Sequence, residues 1–156
     1  MNLFADLPEG ARVGLDSAPV IYLIDQAPRY LALVERFFYK RLDAGLNRAV
    51  TSVVTLSEVL VKPLELGRAD IVDRYSERLS LNPSIEVVEI SRAIAVRAAG
   101  LRATYRIRLP DAFQIATALE CGASHFLTND TRLKRVSEIV VLVLEDYVTA
   151  APTAGS

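Results

Sequence analysis

The sequence predicts an α/β fold, a three-layer sandwich with a central, mostly parallel five-stranded sheet and helices on both faces. Three observations predict it. Short β-branched runs alternate along the chain with longer runs whose apolar residues recur at helical spacing. Strands separated in this way by helices pair in parallel and are covered on both faces. All 156 residues share one compositional regime, 51% apolar and 24% charged, which suits one globular domain able to bury a core.

Val13–Asp16 is the first strand and ends in an acid. Pro19–Asp25 follows at once and can start a helix, because proline is tolerated in a first turn. Pro28–Leu42 is the next helix, with Tyr30, Val34, Phe37, Phe38 and Leu42 on one stripe and Gly45 as its stop. Ala49–Val54 is the second strand. Thr55 or Ser57 caps a helix running to about Leu66, interrupted by Pro63. Beyond Gly67 comes a helix at about Ala69–Leu81, then the turn cluster Asn82-Pro83-Ser84. Ile85–Ile90 is the third strand, and Ser91 caps a helix to about Tyr105. Arg106–Leu109 is a loop, and Pro110 opens a helix to Cys121 that Gly122 closes. Ser124–Thr128 is the fourth strand, Thr131–Val136 a short helix and Ile139–Leu144 the fifth strand. Residues 1–148 form the expected domain, and the tail Thr149–Ser156 is expected to be flexible.

Composition excludes several classes. No apolar run approaches the roughly 18 residues of a membrane helix. Met1–Gly10 carries Asp6 and Glu9 without a basic cluster, unlike a signal peptide. Cys121 is the one cysteine, so no internal disulfide and no Cys-rich metal site is available. His125 is the one histidine, and it falls inside a predicted strand, where a packing role is expected. These features point to the cytoplasm as the expected location. Net charge is −1 and the pI about 5.9, so no whole-molecule basic field exists for nucleic acid. Such binding would need a local patch or a neutralising metal.

Four acids hold suggestive places. Asp16 ends strand one, Glu58 lies in the first turns of the helix after strand two, Asp111 starts the Pro110 helix and Asp130 follows strand four. All fall on the edge where strands run into helices, which is where ligands bind in such folds. At about 100° per residue, Leu56, Val59 and Leu60 form one helix face and Glu58 projects from the other. Ala112, Ile115, Ala116 and Leu119 make the buried stripe of the later helix, with Asp111 at its edge. Taken singly, each acid has an ordinary reading as a cap, turn former or solvated helix residue. Together on one rim they would repel unless neutralised. A hard cation with oxygen ligands, Mg²⁺ or Mn²⁺, does that. Such an ion polarises a phosphoryl oxygen and acidifies nearby water, as phosphodiester hydrolysis requires.

The motifs carry a family resemblance. Val13-Gly-Leu-Asp-Ser-Ala-Pro-Val-Ile-Tyr-Leu-Ile24 resembles the opening of PIN domains, an apolar strand, an Asp, a hydroxyl residue and an apolar helix. Thr51-Ser-Val-Val-Thr-Leu-Ser-Glu58 is similar to the second PIN motif, and Leu109-Pro-Asp-Ala-Phe-Gln-Ile-Ala-Thr-Ala-Leu119 to the third and most specific. Phe126-Leu-Thr-Asn-Asp130 resembles the last. The motifs stand in family order from about Val13 to Val148. The resemblance implies a PIN-like sandwich and a magnesium- or manganese-dependent endoribonuclease. It also implies a VapC-type toxin paired with a small antitoxin protein and often dimeric. Carried over by position, Asp16, Glu58, Asp111 and Asp130 are the catalytic and metal-binding set. Ser17 supports the first Asp, Thr128 is the matching hydroxyl near the last acid, and Asn129 stands behind the site. Position 17 is Ser where Thr is frequent, and Ala18-Pro19 replaces the common Asn-Val.

Arg102, Tyr105, Arg106 and Arg108 lie just upstream of Asp111 and form a candidate RNA patch, since arginine fits phosphate bidentately and tyrosine stacks on bases. Arg132, Lys134 and Arg135 extend it. Two other readings stay open for this chain: an RNA-processing nuclease without a toxin role, and a non-catalytic RNA-binding module. A phosphotransfer domain would want an Asp-x-Asp nucleophile, which Asp16-Ser17-Ala18 does not offer.

Overall fold

The computed structural model describes residues 1–148. The expectation of a flexible tail at Thr149–Ser156 lies outside the described residues. Five strands form one sheet in the order β3-β2-β1-β4-β5, and every pairing is parallel. The strands are β1 (Arg12–Leu15), β2 (Arg48–Ser52), β3 (Ile85–Val88), β4 (His125–Thr128) and β5 (Val140–Val143). The chain builds outward from β1 to β3 on one side, then crosses to place β4 on the other. The order therefore reverses between β1 and β4, and that is where α/β sheets open a crevice.

Seven α-helices cover the sheet among the described residues: α1 (Leu3–Asp6), α2 (Ser17–Ile24), α3 (Leu31–Glu35), α4 (Val53–Glu65), α5 (Ala69–Ser80), α6 (Arg92–Tyr105) and α7 (Leu109–Glu120). Strand alternation divides the core between two faces. Val13, Leu15, Ala49, Leu127 and Leu142 face one cluster, where α1 to α5 contribute Leu3, Val20, Val34, Val59 and Tyr75. Val50, Phe126 and Val141 face the other, under α6 and α7 with Ala98, Ala112 and Ile115. This is the expected three-layer sandwich.

Several expected boundaries move. The second strand stops at Ser52, not Val54, and Ser52 caps α4 by accepting from Val54 N at 3.1 Å. The cap is thus neither Thr55 nor Ser57. Pro63 does not interrupt α4, which runs on to Glu65. In the last turn a proline removes one backbone bond and leaves little helix beyond it to disturb. The third strand ends at Val88.

The Pro28–Leu42 helix is two pieces. After α3 the chain widens into a π-helical stretch, Arg36–Leu42, which buries Phe37, Phe38 and Leu42. Met1–Gly10 is not a bare lead. It forms α1, and its Leu3 and Leu7 are buried. Arg41 donates to Leu7 O at 2.6 Å and Asn47 to Pro8 O and Ala11 O at 2.9 Å each, which pins the segment to the domain.

Candidate active site on the switch-point rim

Asp16 and Asp130 flank the reversal in strand order. Asp16 follows β1 directly, where its backbone N–H extends the ladder to Leu127 O at 3.0 Å. It is the N-cap of α2 and is 7% exposed. Thr128, the last residue of β4, donates its hydroxyl to Asp16 Oδ2 at 2.6 Å, across the switch point. Ser17 donates its backbone N–H to Asp16 Oδ1 at 2.8 Å. The same Thr128 hydroxyl accepts from Asp130 N at 3.1 Å. Thr128 therefore serves the first acid by its hydrogen and the last by its oxygen.

Asp130 caps the 3-10 turn Thr131–Arg135 by accepting from Arg132 N at 2.9 Å. The Arg132 guanidinium also grips both its oxygens, with Nη2 at 2.6 Å from Oδ2 and Nε at 2.9 Å from Oδ1. Asp111 sits in the first turn of α7, half-buried, so the residue before the helix, Arg108, occupies the cap position instead. Glu58 is half-buried on α4 and accepts from Gln114 Nε2 at 3.4 Å.

Behind Glu58 lies a buried polar relay that sequence reasoning missed. Thr51 donates to Leu15 O at 2.7 Å, and its hydroxyl oxygen lies 2.8 Å from the Thr55 hydroxyl, which can donate to it. Ser52 donates to Gln114 Oε1 at 2.8 Å, and Gln114 Nε2 donates to Thr55 as well as to Glu58. The relay ties β1, β2, α4 and α7 together, so it fixes where Glu58 and Asp111 stand. Gln114→Leu leaves Ser52 without its acceptor in a dry interior. We expect this change to lower stability by about 1–3 kcal/mol, read by thermal denaturation.

The electrostatics bind the four acids into one set. Burial pushes the Asp16 carboxyl up, and the Asp130 charge adds to it against the hydrogen bonding from Thr128 and Ser17 that opposes it. Burial raises Glu58, with Asp16 and Asp111 repelling its charge. Burial also raises Asp111, again with Asp16 and Asp130. Asp130 alone goes the other way, held down by the Arg132 guanidinium. Among the described residues, no three acidic, imidazole or thiol groups stand close enough to form a preassembled metal cage. Asp16, Glu58, Asp111 and Asp130 offer hard oxygen donors of the kind that could hold a divalent cation, Asp130 being the one already paired with a cation, Arg132.

The remaining expected residues fall in two places. Arg106, Arg108, Asp111, Asp130, Arg132 and Arg135 line one cleft of about 120 Å³. Arg102 donates to Ile107 O at 2.7 Å and so buttresses the α6–α7 turn. Tyr105 donates to Glu138 at 2.6 Å, and its ring packs on the second core. Asn129 turns away from the carboxylates: it donates to Tyr22 OH at 3.0 Å and accepts from Glu145 N at 2.8 Å. His125 meets Ser124 Oγ at 2.7 Å, away from the rim.

A parallel five-stranded sheet with acids gathered at its switch point defines a recognisable class. The profile of the PIN domain family matches residues 14–139, and the chain belongs to that family. No curated protein matches it in sequence. Three solved structures are similar to it in fold. A chain of the DNA-bound VapBC complex of Salmonella typhimurium aligns with a TM-score of 0.65 and 18% identity, covering 86% of this chain and 98% of that one. A chain of a toxin-antitoxin complex from Klebsiella pneumoniae aligns at 0.61 and 22%, with coverages of 86% and 98%. VapC20 of Mycobacterium tuberculosis, a toxin that cleaves the sarcin-ricin loop, aligns at 0.61 and 12%, with coverages of 74% and 87%. Among the described residues no helix is long and apolar enough to cross a membrane.

Proposed function

We propose that the protein is a divalent-metal-dependent endoribonuclease of the cytoplasm and the toxin of a toxin-antitoxin pair. The observation that carries this is a PIN domain with four acids on its switch-point rim, three of them held protonated longer than usual by burial and mutual charge. Asp16, Glu58, Asp111 and Asp130 would hold Mg²⁺ or Mn²⁺. The cation, when bound, supplies Lewis acidity and activated water for in-line attack on a phosphodiester. The chain's own residues do the positioning. Thr128 and Ser17 N–H aim Asp16, Gln114 aims Glu58, and the rigid first turn of α7 carries Asp111. Arg106 and Arg108 border the acids and suit the backbone of single-stranded RNA, while Arg102 and Tyr105 hold the turn that presents them.

The VapBC and toxin-antitoxin likenesses support a small antitoxin partner as part of this reading, and a homodimer is proposed with it from the family resemblance alone. Induced expression is expected to arrest growth of a bacterial host, with rescue by co-expression of a cognate small antitoxin. Purified protein is expected to cut a pool of structured RNAs in Mg²⁺ or Mn²⁺ and to leave it intact in EDTA. RNA bound equally with and without metal, and never cut, would instead favour the non-catalytic binding module. Thr128→Val removes the hydroxyl that aims Asp16, and we expect it to weaken Mn²⁺ binding about tenfold, measured by titration calorimetry.

A further inference from the structure

We propose that Arg132 is a built-in counter-ion for Asp130 that lets go when a divalent cation binds and then takes hold of the RNA phosphate. The inference rests on the metal-nuclease reading above. It starts from how completely Asp130 is engaged. Arg132 Nε reaches both carboxylate oxygens, at 2.9 and 3.1 Å, and Nη2 reaches Oδ2 at 2.6 Å. The Arg132 backbone N–H takes Oδ1 as well, at 2.9 Å. A carboxylate chelated on both oxygens cannot serve a cation until some of those contacts break.

The same contacts are built to break. The Arg132 side chain is 58% exposed and so only loosely packed, whereas the Asp130 side chain is 24% exposed and fixed by its cap. A solvent-exposed ion pair is a weak one. The incoming cation also repels the guanidinium, so its arrival and the release of Arg132 favour each other. Once free, Arg132 stays in the small cleft that Asp111 and Asp130 share with Arg106, Arg108 and Arg135. A guanidinium there meets a phosphate held against the acids, which it grips with two parallel hydrogen bonds. Arg135 is a neighbour of like charge engaged elsewhere. It donates to Tyr105 O at 3.3 Å and makes no bond to Asp130 among the described residues. It is therefore the natural control.

Arg132→Lys separates this role from bulk electrostatics, because lysine keeps the charge and cannot chelate both oxygens. Mn²⁺ affinity is measured by calorimetry for wild type, Arg132→Lys and Arg135→Lys, with RNA cleavage at saturating Mn²⁺ alongside. Arg132→Lys is expected to bind Mn²⁺ about threefold tighter or more, the scale of an exposed pair. Its cleavage is expected to fall about tenfold, as one bidentate phosphate contact is lost. Arg135→Lys is expected to leave Mn²⁺ affinity unchanged. Unchanged or weaker Mn²⁺ binding in Arg132→Lys would overturn the counter-ion role, because a merely structural arginine would weaken the site when replaced. Tighter Mn²⁺ binding with undiminished cleavage would overturn the transfer to phosphate. No Mn²⁺ binding in wild type would overturn the metal reading itself.

Discussion

Asp16→Asn is expected to cut RNA at least about a thousandfold more slowly than wild type while melting roughly 2–4 °C higher in the absence of metal. The two effects have one cause. Asp16 is buried, its carboxyl is pushed up chiefly by that burial, and the Asp130 charge adds to the push. A carboxyl whose folded pKa lies above its unfolded value binds protons more readily in the folded state. Its contribution to stability is fully present below the ordinary carboxylate range and is lost as pH rises through the raised value. At neutral pH the metal-free protein therefore carries a destabilising charge that asparagine removes. A gain near 1 kcal/mol corresponds to roughly 2–4 °C in a domain of this size. Asparagine still accepts from Ser17 N–H, and its amide can donate to the Thr128 hydroxyl oxygen. It does not supply the anionic oxygen that a hard cation needs. Several kcal/mol of transition-state stabilisation go with the cation, which is the source of the thousandfold figure. Melting curves without metal, taken upward from the ordinary carboxylate range, check the stability half. Wild type should lose stability as pH rises from that range, and the variant should lose less. A variant that melts below wild type at neutral pH would contradict the charge argument.

Gly14→Ala is the second large effect. Gly14 lies in β1 between Val13 and Leu15, and its open side faces α7. A Cβ added there would stand 2.8 Å from Phe126 Cδ2 and closer still to the Ala118 methyl. Both neighbours are fully buried, so neither can step aside. Overpacking of this kind costs about 1–3 kcal/mol or more. The melting temperature should fall by roughly 5 °C or more. Function should suffer beyond stability, because β1 carries Asp16 and α7 carries Asp111. Prising these elements apart misplaces the two acids, and a displacement near 1 Å costs about a hundredfold in rate. Ala118→Gly in the same chain removes the nearer obstacle and should restore part of the stability. A Gly14→Ala protein as stable as wild type would mean that β1 and α7 can separate freely.

How far the sequence disclosed this arrangement depends on the physics at each position. The strands were legible because β-branched residues and helical periodicity alternate along the chain. The placing of Asp16 and Asp130 on one rim was legible because strand ends in a parallel sheet share that edge. The end of β2 was not. Val53 and Val54 favour strands by their branched side chains, yet the Ser52 hydroxyl turns the chain into α4 there. Gln114 escaped for a related reason. A polar residue beside an apolar stripe reads as exposed, but α7 is buried almost all round, and Gln114 is 2% exposed. Its role comes from partners on β2 and α4, more than fifty positions away. The Arg132 grip on Asp130 depends on a single 3-10 turn, and spacing alone left Arg132 as one more member of a basic patch. The π-helical Arg36–Leu42 has no mark in the sequence that we can name.

The four acids are proposed to act through divalent metal to cut RNA. Single-turnover cleavage of a structured RNA pool, followed as Mn²⁺ is titrated into metal-free wild type and Asp111→Asn, tests it most directly. The account predicts cutting that rises with Mn²⁺ in wild type, vanishes in EDTA and is absent from Asp111→Asn at every Mn²⁺ concentration. Cutting that persists in EDTA, or that Asp111→Asn performs as well as wild type, would contradict it.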